Sequence, residues 1–138
     1  MPVEDPLRAH YQAHRDACVL QFVDALRRSG IAAYRDAPEA ALTPAVGKSM
    51  DLLIECLLSR QPERYVQAQR DLFAQRVKAG VPVGDILEGL DPAQATLDAL
   101  MRQAYPDAPA DCATMTHRAQ RYLLMARTAL VTLMSEHR

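Results

Sequence analysis

Apolar residues recur every three or four positions along most of the chain, the spacing that gathers side chains on one face of an α-helix. Leu7, Tyr11, Cys18, Phe22, Ala25 and Leu26 form the first such stripe. Asp5-Pro6 offers an N-cap with proline at the first helical position, and no breaker follows before Gly30. These signals predict one long helix over 6–29. Residues 31–42, which include Pro38, read as a connection with room for a short helical turn. Thr43-Pro44 repeats the cap-and-proline signal, and Val46, Met50, Leu53, Ile54, Leu57 and Leu58 carry a strongly apolar helix to about Arg60. Pro62 opens a third helix in which Tyr65, Val66, Gln69, Leu72, Phe73 and Val77 share a face, and Gly80 with Pro82 ends it. Val83, Ile86, Leu87 and Leu90 mark a short helix within 81–90. Asp91-Pro92 then starts another over 93–105, with a kink or break expected at the proline.

Pro106 and Pro109 mark the last loop, and Asp111 can cap a final helix running to about Glu136. Met115, Ala119, Tyr122, Leu123, Ala126, Leu130 and Leu133 make its main stripe. Leu124 and Val131, seven residues apart, lie well round the helix from that stripe. The apolar arc is therefore wider than packing against one neighbour requires, which points to a second surface such as another subunit. No segment alternates with period two between turn residues, and Val, Ile and Thr are sparse beside Ala and Leu. The fold class predicted is all-α, a single domain over 1–138 of about six helices.

Composition adds mostly exclusions. With 49% hydrophobic residues in 138, the chain can bury a core and does not read as disordered. Sixteen Lys and Arg against seventeen Asp and Glu leave a net charge of -1, so no basic footprint points to nucleic acid or anionic lipid. The apolar runs, such as 52–54 and 122–126, fall far short of the roughly 20 residues a membrane span needs. The start lacks a cationic segment followed by an apolar one, and the expected location is the cytoplasm. Cys18, Cys56 and Cys112 are odd in number and widely spaced, which fits reduced, buried thiols better than a disulfide framework or a zinc knuckle.

Candidate chemistry is thin. His10 and His14 stand four apart, a spacing that lets two imidazoles reach one metal, yet no third ligand and no H-e-x-x-H pattern accompany them. His14 projects onto the stripe of Tyr11 and Cys18, where a partly buried, hydrogen-bonded histidine competes with a ligand pocket. Cys112, Met115 and His117 bring three soft-metal ligand types together in sequence without sharing one helical face. Glycine-rich phosphate loops, a nucleophile elbow and zinc-deaminase spacing are all absent. Asp51, Glu55, Asp71, Asp85, Glu88 and Asp98 are spread over several helices and read as solvated faces. The chain is expected not to be an enzyme and to carry no cofactor or resident metal.

The segment 65–90 resembles the amino-terminal domain of the stressosome scaffold proteins, the RsbR family, also found at the front of some bacterial sensor kinases. There a helix ending in an Arg-x-x-x-Gly-hydrophobic-Pro-hydrophobic step is followed by a short Ile-Leu-x-x-Leu helix. Arg76, Gly80, Val81, Pro82, Val83, Ile86, Leu87 and Leu90 match that pattern, while the flanking helices agree in order and length alone. The resemblance implies a globin-like fold without haem, a homodimer, and a stress signal passed through the last helix to an output module. The absence of histidine between His14 and His117 agrees, since the middle helices offer no proximal ligand. A scaffold of this family continues into an output domain, whereas this sequence ends after its last helix, so an excised domain and a single-domain relative both remain open.

Two functions follow as expectations. The first is a signalling sensor or scaffold domain that dimerises through its last helix, with Tyr122, Leu124, Leu130, Val131 and Met134 as interface candidates. The second is a helical protein binding a small ligand, a tetrapyrrole or a metal, in a pocket near Tyr11, His14, Cys18 and Phe73. An up-down bundle stands beside the globin-like arrangement, because periodicity defines faces and leaves crossing angles open.

Overall fold

The computed structural model describes residues 2–136, and all regular structure among them is α-helical. The helices are α1 (Asp5–Arg28), α2 (Ala32–Arg35), α3 (Glu39–Ser59), α4 (Glu63–Lys78), α5 (Val83–Glu88), α6 (Leu90–Ala104) and α7 (Pro109–Glu136). α1 packs on α3 and α6, α4 packs on α7, and α6 packs on α7, with α3 also against α4. Leu57, Leu97, Met101, Met115, Ala119, Ala126 and Leu130 are wholly buried where these helices meet.

Five details differ from the sequence pattern. α1 is not regular throughout, for His14 has φ -130° and ψ 22° and marks a kink. Beyond it the buried positions are Cys18, Val19, Val23 and Leu26, while Phe22 and Ala25 are half-buried, so the stripe has turned by about one residue. α3 begins at Glu39 after Pro38 and takes Pro44 inside it, because Leu42 is buried and draws the preceding turn into the helix. The break before α6 falls at Gly89 rather than Pro92, which then sits in the first turn, where its missing N–H has no helical partner to lose. A Cβ at Gly89 would lie 2.9 Å from the Tyr34 hydroxyl oxygen, so glycine there admits the tyrosine against the backbone. α7 starts at Pro109, which leaves Asp111 in the first turn instead of at the cap. Val77 is exposed, and its place on the inward face of α4 is taken by Arg76.

One buried carboxylate joins distant parts of the chain. Glu4, whose side chain is 8% exposed, accepts a 2.8 Å hydrogen bond from Arg118 of α7 and a 3.2 Å one from Arg60. The same Arg118 nitrogen donates to the Leu57 carbonyl near the end of α3, at 2.9 Å. Arg60 caps α3 in the left-handed conformation with φ 60°, which costs a non-glycine residue roughly 1 kcal/mol. Nearby, the Tyr105 hydroxyl donates to the Val3 carbonyl at 2.6 Å, so the segment before α1 is held at two points.

The Arg118 hydrogen bond, and the charges of Arg60 and Arg118 behind it, hold the Glu4 carboxyl below the usual glutamate range despite its burial. A lowered folded-state value means stabilisation that is complete above the ordinary glutamate value and lost as pH falls through the depressed one. Glu4→Gln leaves Arg118 half-buried without its carboxylate and is expected to cost about 3 kcal/mol, or roughly 10 °C in Tm at pH 7. In thermal melts followed by circular dichroism, the gap between Glu4→Gln and the parent narrows on acidification, as the parent carboxyl protonates. A gap that stays constant to pH 3 contradicts this account.

Candidate functional site

On α4 the residues Tyr65, Gln69, Phe73 and Arg76 follow one another at steps of four, four and three, which places them on one face. Against that face lie Phe22 and Leu26 of α1, Tyr34 of α2, Ser49, Met50 and Leu53 of α3, and Ile86, Gly89, Leu90 and Ala93 around the α5–α6 junction. Together they enclose a partly open cavity of about 60 Å³. Its walls are mostly aliphatic and aromatic. Its polar groups form two pairs, the Gln69 amide donating to the Ser49 hydroxyl at 2.9 Å and the Arg76 guanidinium donating to the Tyr34 hydroxyl. The Arg76 guanidinium carbon also lies 5.3 Å from the Tyr34 ring centroid, within reach of a cation–π attraction. Burial pushes the Tyr65 phenol well above its usual range.

Of the four pocket candidates named from sequence, Phe73 alone lines this cavity. Tyr11, His14 and Cys18 lie elsewhere, because the kink at His14 turns the two halves of α1 differently. Tyr11 donates a 2.6 Å hydrogen bond to Asp51 of α3, and Arg15 clamps the same carboxylate with bonds of 3.0 and 2.9 Å. Burial and the Asp51 hydrogen bond together raise the Tyr11 phenol, while Arg15 holds Asp51 below the usual aspartate range. This is a tie between α1 and α3 that spans the kink. His14 is exposed, contrary to its position on the extrapolated stripe, and lies in a shallow groove with His10, Cys18 and Gln103. The two imidazole centroids are 4.8 Å apart, and His10 Nε2 is buried without a hydrogen-bond partner.

No cluster of three or more His, Cys, Asp or Glu side chains placed to hold a metal occurs among the described residues. Met115 is wholly buried, whereas Cys112 and His117 border an open groove with Asp98, Arg102 and Tyr105, so these three candidates are not brought together. The acidic residues are likewise dispersed, with Glu55 paired to Arg64 and Asp71 and Asp98 accepting from Gln67 and Gln94.

The interface candidates on α7 divide. Tyr122 and Leu130 are buried in the core of their own chain, and Met134 is half-buried against it. Leu124 and Val131 are 61% and 48% exposed, joined by Met125 at 39%. Among the described residues no helix is long and apolar enough to cross a membrane. Compared with protein-family models, curated proteins and solved structures, the chain matches none of them.

The three thiols differ in access. Cys18 and Cys56 are buried, and that burial pushes both thiols above their ordinary value, whereas Cys112 is partly exposed. A thiol-specific chromogenic reagent is expected to modify one cysteine quickly in native protein and the other two only on unfolding. Cys112→Ser removes the fast phase. A fast phase that survives this substitution shows that one of the buried pair is exposed by local opening.

Proposed function

We propose that this chain is a non-enzymatic bacterial signalling domain, a cytoplasmic sensor or scaffold that pairs with a second copy through α7 and relays stress to an attached or partner output module. The observation that carries the reading is the outer face of α7. The inner face of that 28-residue helix is occupied by α4 and α6, yet Leu124 and Val131 remain open to solvent at a seven-residue spacing, with Met125 beside the first. Two helices meeting along such a strip bury the apolar surface that each leaves exposed alone.

The helix pairing supports the globin-like arrangement over an up-down bundle. In a bundle, neighbours in sequence lie side by side, whereas here the broadest packing includes α1 on α6 and α4 on α7, elements far apart in the chain. The family resemblance of 65–90 adds weight, since Gly80 has φ 87° and Ile86 and Leu90 are buried, as the step from one helix into the next requires. Relay through α7 needs two packings of that helix with a small free-energy gap between them. Its contact with α4, closed at the far end by the 3.1 Å Arg70–Glu136 ion pair, is the joint at which such a shift takes place.

Native mass spectrometry and light scattering over about 1 to 100 µM protein are expected to report a homodimer. Leu124→Glu combined with Val131→Glu converts it to monomer while leaving the thermal melt nearly unchanged, because both side chains are exposed. A parent protein that is monomeric throughout the series overturns the dimer reading.

A further inference from the structure

Among the described residues four arginines are half-buried: Arg15, Arg70, Arg76 and Arg118. Three of them are neutralised by a carboxylate, Arg15 by Asp51, Arg70 by Glu136 and Arg118 by Glu4. Arg76 is the exception. Among the described residues its one hydrogen-bond partner is the neutral Tyr34 hydroxyl, and no acidic group lies within ion-pair distance. A guanidinium withdrawn from water loses hydration that one phenol oxygen replaces in small part, and most of its five N–H donors remain available.

Tyr34 sharpens the point. Its hydroxyl accepts from Arg76, so its own proton is free to be donated, and it makes no donation among the described residues. Charged and neutral donors therefore converge at one edge of the cavity, while Phe22, Leu26, Met50, Leu53, Phe73 and Ile86 form an apolar interior. We propose that this cavity is a binding site for a short aliphatic monocarboxylate, whose carboxylate is held by Arg76 and Tyr34 and whose tail lies among the apolar walls.

Size sets the length of the tail. A cavity of roughly 150 Å³ accepts benzene, whereas about 60 Å³ suits a chain of about two to four carbons. A tetrapyrrole is far too large for this space. The charge selects an anion, because the guanidinium fork matches carboxylate geometry and the neighbouring phenol adds a third donor. The apolar walls favour a carboxylate with a tail over an inorganic anion, whose hydration they cannot replace.

The test is titration of the purified full chain with sodium butyrate, followed by ligand-observed NMR and calorimetry. Saturable binding with one site per chain is expected, with a Kd in the millimolar range or below for so few atoms. Butanol, which lacks the charge, and inorganic phosphate, which lacks the tail, each bind at least about tenfold more weakly. Arg76→Gln lowers butyrate affinity at least about tenfold, and Arg76→Lys, which retains the charge, restores part of it. Thermal melts confirm that both variants are folded. Should Arg76→Gln not fold, Ala93→Leu fills the cavity from α6 and abolishes butyrate binding by another route.

Equal binding of butanol, equal binding of phosphate, unchanged affinity in a folded Arg76→Gln, or no butyrate binding each overturns the proposal. The measurement reads binding whatever the oligomeric state. A monomer that binds butyrate thus removes the dimer reading alone, and a dimer that does not bind it removes this one alone.

Discussion

The buried carboxylate of Glu4 holds together what the apolar core leaves loosely specified. Apolar contacts between helices are non-directional, whereas a carboxylate withdrawn from water has to meet its donors at hydrogen-bond distance. Arg118 meets it from α7 across 114 positions of sequence, and Arg60 meets it from the end of α3 across 56. Because the Arg118 nitrogen also bonds the Leu57 carbonyl, α7 is set at its third turn against the last turn of α3 and the entry to α1 together. The left-handed Arg60 follows from the same constraint, for it turns the chain out of α3 while its side chain returns to Glu4.

α2 and α5 are short, of four and six residues, and neither has a side-chain cap. Both contribute to the cavity wall, α2 through Tyr34 and α5 through Ile86, with Tyr34 seated against Gly89 just after α5. Elements this short depend on what they pack against rather than on their own helical stability. The Arg76–Tyr34 pair is the polar link between α4 and α2, and it is made to a neutral partner where the other half-buried arginines use carboxylates.

Much of this architecture was legible in the sequence, and the rest was hidden for identifiable reasons. The stripes of α3 and α7 are strong because each of these helices buries one face, as Met50, Leu53, Ile54 and Leu57 show. The cap signal at Thr43-Pro44 misled because burial of Leu42 outweighs local preference and extends the helix backward. The kink at His14 carries no proline or glycine, and the Tyr11–Asp51–Arg15 tie that spans it joins residues 36 and 40 positions apart, which no local pattern records. Phe73 was found by its stripe, and Arg76 was within reach, since Gln69, Phe73 and Arg76 share the same steps. Assigning the exposed Val77 to that face followed apolarity, when a cation at the inward position was the informative residue. Tyr34 lay in a stretch read as connection, and its meeting with Arg76 and Gly89 is a product of the tertiary fold.

The cavity and the α7 packing on which the two proposals rest meet in α4. Its inward face supplies Tyr65, Gln69, Phe73 and Arg76 to the cavity, and the helix also packs along α7. A group that neutralises Arg76 changes what holds α2 to α4, and packed helices pass such a change on as a discrete shift, because close-packed interiors do not deform continuously. On the proposed reading the shift reaches the outer strip of Leu124 and Val131 without any contact between ligand and dimer surface. On the same reading, Arg118 holds the first third of α7 to Glu4 and Leu57, so the part of the helix left to shift is the stretch beyond it, toward Glu136 and its ion pair with Arg70.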